Sequence, residues 1–349
     1  MRFIGSKTLL LDQIKNVIDE KVPEAKSFCD IFSGTAAVAR YFKQWYQVCS
    51  NDLLYFSYVL QRATVENDGM PEFSRLQEET GIGDPVDFFN SREKKDLEEL
   101  PPERRFFQNT YAPLGGRMYL NDENALRIDY ARCRVEDWKA SGLLNEDEYY
   151  YLVACIVEGI PFVSNTSGTY GAFHKTWERR SYKRYELLRL PVTRNGKKNR
   201  CYNENGTELL KRLEGDILYI DPPYNARQYL SNYHVLETAA KYDYPMVRGV
   251  TGQRPDEEQK SDFCMKNKVV PAFEELIRNA RFQHIILSYS TDGLMTVDEI
   301  EETMKKFGKP ETFQIYEIPY RRYKSRKVKE TERLKELLVY IEKQVPPCS

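Results

Sequence analysis

Residues 216–224 read Asp-Ile-Leu-Tyr-Ile-Asp-Pro-Pro-Tyr, a short apolar run closed by a carboxylate, two prolines and a tyrosine. An apolar run of this length, bounded by turn residues, predicts a buried strand. In open α/β sheets, ligands bind outside the carboxyl ends of the strands, so Asp221, Pro222, Pro223 and Tyr224 fall where chemistry is expected. A conjugated exocyclic amine is a poor nucleophile, because its lone pair is delocalised into the ring. Asp221 and the main-chain carbonyl of Pro222 offer acceptors for two amine hydrogens, which favours a tetrahedral nitrogen with its lone pair aimed at an electrophile. The prolines lack N–H groups and fix φ, which makes the frame rigid, and Tyr224 supplies a flat face on which a heterocycle can stack. Taken alone, the four residues also fit an ordinary strand-ending turn.

Outward from this point, apolar segments predict further strands at 27–32, 46–50, 200–203, 283–289, 312–318 and 336–341. Helical periodicity lies between several of them, at 8–20, 36–44, 207–213, 270–279 and 297–307. Strands alternating with helices imply a mostly parallel α/β sheet covered on both faces. The last two strands lack an intervening helix, which predicts an antiparallel hairpin at one edge. From about 57 to 198 the alternation stops and the chain turns charged and tyrosine-rich, with helices expected near 146–160 and 177–189. Such a stretch suits a subdomain inserted into the sheet domain.

A second strand end reads Asp30-Ile31-Phe32-Ser33-Gly34-Thr35-Ala36 and opens a helix. Gly34 permits close approach of the backbone, and a helix N-terminus favours carboxylate-bearing ligand parts. Further on, Asn51-Asp52 closes the next strand, where a carboxylate can bind ribose hydroxyls. Together they imply a nucleoside-containing cofactor, although a structural turn at Gly34 and a helix cap at Asp52 remain open. The Gly-x-Gly-x-x-Gly of nicotinamide enzymes is missing from the sequence.

In this order the motifs resemble the Dam-like class of N6-adenine-specific DNA methyltransferases, which includes modification enzymes of restriction systems. The resemblance covers most of residues 1–300, including 163–173, 225–229 and Tyr233-His234. It implies S-adenosyl-L-methionine as cofactor, contacted by Phe3 and Lys7 in the opening Arg2-Phe3-Ile4-Gly5-Ser6-Lys7. It assigns Asp30, Phe32, Gly34 and Thr35 to the cofactor's methionine end, Asp52 to the ribose, and Asp221 to Tyr224 to catalysis, with Asp221 also beside the cofactor. Asn205 stands where the family usually has an Asp near the cofactor adenine, and a plain strand-end turn fits it equally.

The resemblance makes the insertion a target-recognition region. Residues 174–200 carry ten bases against two acids, whereas 65–103 carry twelve acids against four bases. Lys175, Arg179, Arg180, Lys183 and Arg184 are therefore expected on DNA phosphates, joined by Arg227, with Tyr170 or Trp177 stacking on or wedging beside bases. A solvated face is the bland alternative for each run, including the six bases of 321–329.

The expected whole is an α/β, Rossmann-like S-adenosyl-L-methionine-dependent methyltransferase sheet formed by residues 1–56 and 199–349, interrupted by a mainly helical recognition subdomain, 57–198. Its partners would be double-stranded DNA and a cognate restriction endonuclease, with no membrane and no metal. The three scattered histidines suggest no metal site, and seven cysteines without a C-x-x-C pair suggest neither zinc nor a disulfide framework. Without a signal segment or long apolar run, a cytoplasmic location is expected. Rival readings are the same chemistry on RNA or on the N4 amine of cytosine, an idle DNA-binding scaffold, and a dehydrogenase.

Overall fold

A computed structural model of the chain describes Gly5 and residues 7–255, 259–319 and 335–343. Phe3 and the basic run 321–329 lie outside the described residues. The chain divides into two compact units. One holds Lys7–Leu53, Lys197–Gln228 and the chain from Lys260 on; the other holds Leu54–Gly196 and Tyr229–Gln259.

In the first unit the described strands are β1 (Ser27–Asp30), β2 (Gln47–Asn51), β3 (Arg200–Tyr202), β4 (Glu214–Ile220), β5 (Arg281–Ser290), β6 (Gln314–Pro319) and β7 (Lys335–Glu342). They form one sheet in the order β3-β2-β1-β4-β5-β7-β6. β1 to β5 pair in parallel, while β7 runs antiparallel to both β5 and β6. The seven expected strands all form. The strand order reverses between β1 and β4, so Asp30 and Asp221 flank the switch point where such sheets bind ligands.

Both faces of the sheet are buried, which is why its strands read as continuous apolar runs. On one face Leu218, Ile220, Ile285 and Leu287 join Phe273, Leu276 and Ile277 of helix Val269–Asn279, with Ile300 and Met304 of helix Val297–Phe307. On the other, Phe28 stacks on Phe42, Tyr46 and Tyr219 at centroid distances of 4.4, 6.1 and 5.9 Å.

The second unit is helical, and its core joins Phe56, Val59, Leu126, Ile128, Leu152 and Ile156 with Leu230, Tyr233 and Leu236. Two expectations are corrected here. Residues 229–259, expected in the sheet domain, belong to this unit. The reason is packing: helix Tyr229–Lys241 buries its apolar side chains in the helical core, and Val269–Asn279 is left to link β4 to β5. The helix expected at 177–189 does not form beyond a single turn, Arg179–Tyr182. Tyr185, Leu187 and Leu190 are buried, whereas Glu186 and Arg189 between them are exposed and Leu188 is half-buried. The backbone N–H groups of Tyr185 and Leu187 donate to the side chains of Asn124 and Asn90, each at 2.8 Å, in place of helical partners. Among the described residues, no helix is long and apolar enough to cross a membrane.

Two helices of this unit lack a side-chain cap of their own and receive one from a distant, buried carboxylate. Asp129 accepts from the N–H groups of Phe107 and Gln108 at the start of Phe106–Tyr111, at 2.8 and 2.9 Å. Glu237 accepts from Tyr55 and Phe56 at the start of Tyr55–Gln61, at 3.0 and 2.9 Å. A carboxylate satisfies the first N–H groups of a helix and favours its positive end. Glu237→Ala orphans both donors and is expected to lower the unfolding free energy by about 2–4 kcal/mol in chemical denaturation. A loss below about 1 kcal/mol would show that water replaces the carboxylate.

Candidate active site

The carboxyl ends of β1, β2 and β3 are tied by one side chain. Asn51 donates to the carbonyls of Ile31 and Glu204, both at 3.1 Å, and its Oδ1 accepts from Glu204 N–H at 3.1 Å. After β1 the chain turns through Gly34, whose φ of 52° lies in the left-handed region that glycine tolerates. Gly34 N–H donates to Asp52 Oδ2 at 2.8 Å, joining the first turn to the end of β2. Asp52 does not cap the next helix, since Tyr55–Gln61 begins at Leu54 without a side-chain cap. Thr35 is half-buried in the turn, and Phe32 sets its ring edge-on to Phe263 at 5.0 Å.

Asp30 is buried, with Oδ2 accepting from Ser33 Oγ at 2.9 Å. Its Oδ1 is buried and has no hydrogen-bond partner among the described residues. Burial pushes the carboxyl up to about 8 against the Ser33 bond, and the charges of Asp221 and Asp52 add to the rise. A buried acceptor of this kind invites a cationic donor.

Across the switch point, Lys7 is 4% exposed and places its ammonium 3.2 Å from Asp221 Oδ1. The same ammonium contacts Glu336 Oε1, which also accepts from Ser288 Oγ at 2.9 Å. Burial opposes the lysine's charge, yet the two carboxylates outweigh it and hold Lys7 above the ordinary lysine range. Burial pushes Asp221 up to about 7; Lys7 pulls it down and Glu336 adds to the rise. Asp221 keeps 17% exposure, so a ligand can reach it. Pro222 is buried and Pro223 half-buried, while the Tyr224 ring lies 5.6 Å from the Lys7 ammonium and edge-on to Tyr289.

Lys7, Asp30, Phe32, Gly34, Thr35, Asp52 and Asp221 to Tyr224 thus all lie at the carboxyl end of the sheet: Asp30 ends β1, Lys7 opens the short turn Lys7–Leu9, and the others lie in the loops that follow β1, β2 and β4. Asn205 instead serves as a helix cap, its Oδ1 accepting from Thr207 and Glu208 at 3.0 and 3.3 Å at the start of Gly206–Leu209. Arg227 is exposed, three residues beyond Tyr224. In the helical unit, Tyr170 is corrected from a base-stacking ring to a core residue. It is 2% exposed, its hydroxyl meets Ser164 Oγ at 3.0 Å, and its carbonyl accepts from Tyr119 and His234. Lys175, Arg179 and Lys183 are exposed, and their side chains have no ion-pair or hydrogen-bond partner among the described residues. Arg180 pairs with Glu178, and Arg184 with Glu93 and the carbonyls of Asn90 and Arg92.

Sequence reasoning missed Asn51, Ser33, Phe263, Ser288 and Glu336. A signal existed for Glu336, a charge opening the otherwise apolar strand Leu337–Ile341, but its meaning depends on strand order.

Residues 3–303 match the family model of the D12 class N6 adenine-specific DNA methyltransferases. The chain is 48% identical over 348 residues to Type II methyltransferase M.FokI of Planomicrobium okeanokoites, covering 99% of this chain and 53% of that protein. It is 42% identical over 345 residues to modification methylase StsI of Streptococcus sanguinis, covering 99% and 52%. With Type II methyltransferase M.NlaIII of Neisseria lactamica it shares 39% identity over 334 residues, covering 94% and 93%. The chain therefore spans about half the length of the first two relatives and nearly all of the third. By the extent of the family match and by these identities, the chain belongs to the D12 class of N6 adenine-specific DNA methyltransferases.

Proposed function

We propose that the chain transfers the methyl group of S-adenosyl-L-methionine to the N6 amine of an adenine turned out of duplex DNA, as the modification partner of a restriction endonuclease. The observation that carries this reading is Asp221, which opens Asp-Pro-Pro-Tyr beyond β4 with a buried lysine on one of its oxygens. The relatives' names, Type II methyltransferase and modification methylase, support the restriction partner by analogy.

The residues fit the cofactor. The unpartnered Asp30 Oδ1 suits its ammonium group, the Gly34 turn admits its backbone-like end closely, and the Asp52 carboxylate suits ribose hydroxyls. When bound, S-adenosyl-L-methionine supplies an electrophilic sulfonium methyl. Lys7 holds Asp221 Oδ1, and among the described residues Oδ2 has no partner. That oxygen and the Pro222 carbonyl accept the amine hydrogens and turn the lone pair toward the methyl. As the N–C bond forms, the methyl's bond to sulfur would break with its electron pair left on sulfur; the amine loses one proton, and Asp221, whose carboxyl burial raises to about 7, can take it before release to water. Positioning and hydrogen bonding suffice, with no covalent enzyme intermediate.

DNA binding is assigned to Lys175, Arg179 and Lys183, three exposed cations of the basic stretch in the helical unit, and to Arg227 on the sheet unit. Arg180 and Arg184 are held by partners in their own unit and contribute less.

Asp221→Asn is expected to cut methyl transfer from labelled cofactor by about 10²-fold or more with an unchanged melting temperature. Wild-type turnover by the folded variant would remove Asp221 from the mechanism. Because the carboxylate must be ionised to accept, kcat/KM should fall as pH drops through about 7 and level off above it. A profile flat to pH 5.5 contradicts this role, that limit lying about 1.5 units below the carboxyl.

Asp52→Ala should weaken cofactor binding in calorimetry by about 1.5–3 kcal/mol, the range for a hydrogen bond to a charged group. An unchanged dissociation constant would leave Asp52 only as the anchor of the Gly34 turn.

Changing Lys175, Arg179 and Lys183 together to Gln should weaken binding to specific and random duplexes alike. Each lost phosphate contact should flatten log affinity against log salt by about 0.9. Equal slopes for variant and wild type would make the three residues a solvated surface.

A further inference from the structure

Glu336 is the second residue of β7, a strand otherwise apolar from Leu337 to Ile341 and paired on both sides. Because β7 runs antiparallel, its first residues lie at the edge where the parallel strands end: Glu336 stands opposite Ser290 on β5. The glutamate is 5% exposed, and one of its oxygens receives both the Lys7 ammonium and the Ser288 hydroxyl. Burying a carboxylate is costly unless its partners compensate, and one buried lysine requires one counter-ion. Lys7 already has Asp221 at 3.2 Å. A second carboxylate is more than charge balance demands, and it leaves the cluster net negative.

We propose that Glu336 is a positioning residue of this site: it holds and shares the Lys7 ammonium, so that the lysine orients Asp221 without neutralising it. The inference rests on Asp221 as the acceptor of the amine. An ammonium drawn fully onto Asp221 would make it a weaker acceptor and a poorer base, whereas Glu336 on the far side divides the lysine's charge between two carboxylates. Ser288 fixes the glutamate through its hydroxyl and carries no charge of its own.

The test is methylation of duplex DNA by the full chain and its variants across neutral pH. Glu336→Gln is nearly isosteric and removes only the charge. It should lower kcat about tenfold, leave KM for DNA and the cofactor dissociation constant within about twofold, and move the acid limb of kcat/KM down by about one pH unit. Lys7→Gln should move that limb in the opposite direction, upward. A merely structural glutamate would not give shifts of opposite sign. Ser288→Ala keeps every charge and is the variant least able to disturb folding; it should lower kcat severalfold without moving the limb. The inference is overturned if folded Glu336→Gln keeps the wild-type kcat and limb, or if both charge variants move the limb the same way. Unchanged kcat in Ser288→Ala also overturns it. Asp221→Asn in the same assay separates the two readings. An inactive Asp221→Asn beside a fully active Glu336→Gln sinks only the role of Glu336, whereas an active Asp221→Asn sinks the catalytic reading itself.

Discussion

Lys7 carries a positive charge into a place that leaves it 4% exposed, and Asp221 and Glu336 both bind it there. A buried charge needs its partners in place before it is tolerable, since breaking a buried pair leaves an uncompensated ion. Three distant parts of the chain meet around it: the turn Lys7–Leu9, the loop after β4 and the start of β7. The sheet order brings them together. β4 and β5 deliver Asp221 and Ser288 from parallel strands, and β7, reversed beside β5, delivers Glu336 to the same edge.

Carboxylates do different work in the two units. In the sheet unit Asp30, Asp221 and Glu336 are buried or half-buried where the parallel strands end, and burial raises the carboxyls of Asp30 and Asp221 to about 8 and about 7. In the helical unit Asp129 and Glu237 end in backbone N–H groups and hold helix starts. The acidic run 65–103 has a further part. Arg184 pairs with Glu93, and Arg189 with Asp84 and Asp87, so several bases of 174–200 face acids in the same unit.

Local signals were legible in the sequence. Asp30 closes β1, Asp52 and Asp221 directly follow β2 and β4, and Gly34 lies in the turn after β1, so each stands beside a strand that its own segment announces. All seven described strands were readable because burial on both faces makes each a continuous apolar run. What escaped depends on distant pairing. Glu336 acquires meaning only from the position of β7, and residues 229–259, placed in the sheet domain by their order in the sequence, join the helical core through packing partners that are distant in sequence. Residues 177–189 have helical composition, but Asn90 and Asn124 take their N–H groups and hold them extended. Tyr170 stands just ahead of a basic run in sequence and in a core in space. Charge counting likewise treated 174–200 as one free surface, blind to the acids that bind Arg184 and Arg189.

The most direct measurement is the sequencing of modified bases in DNA from a methylation-free host that expresses the chain. An adenine methyltransferase with the site described here should leave N6-methyladenine in one defined sequence context, absent from the same host without the chain. Unmodified adenine throughout, in a host where the chain is folded and expressed, or methyl groups on cytosine instead, would contradict adenine methylation at Asp221.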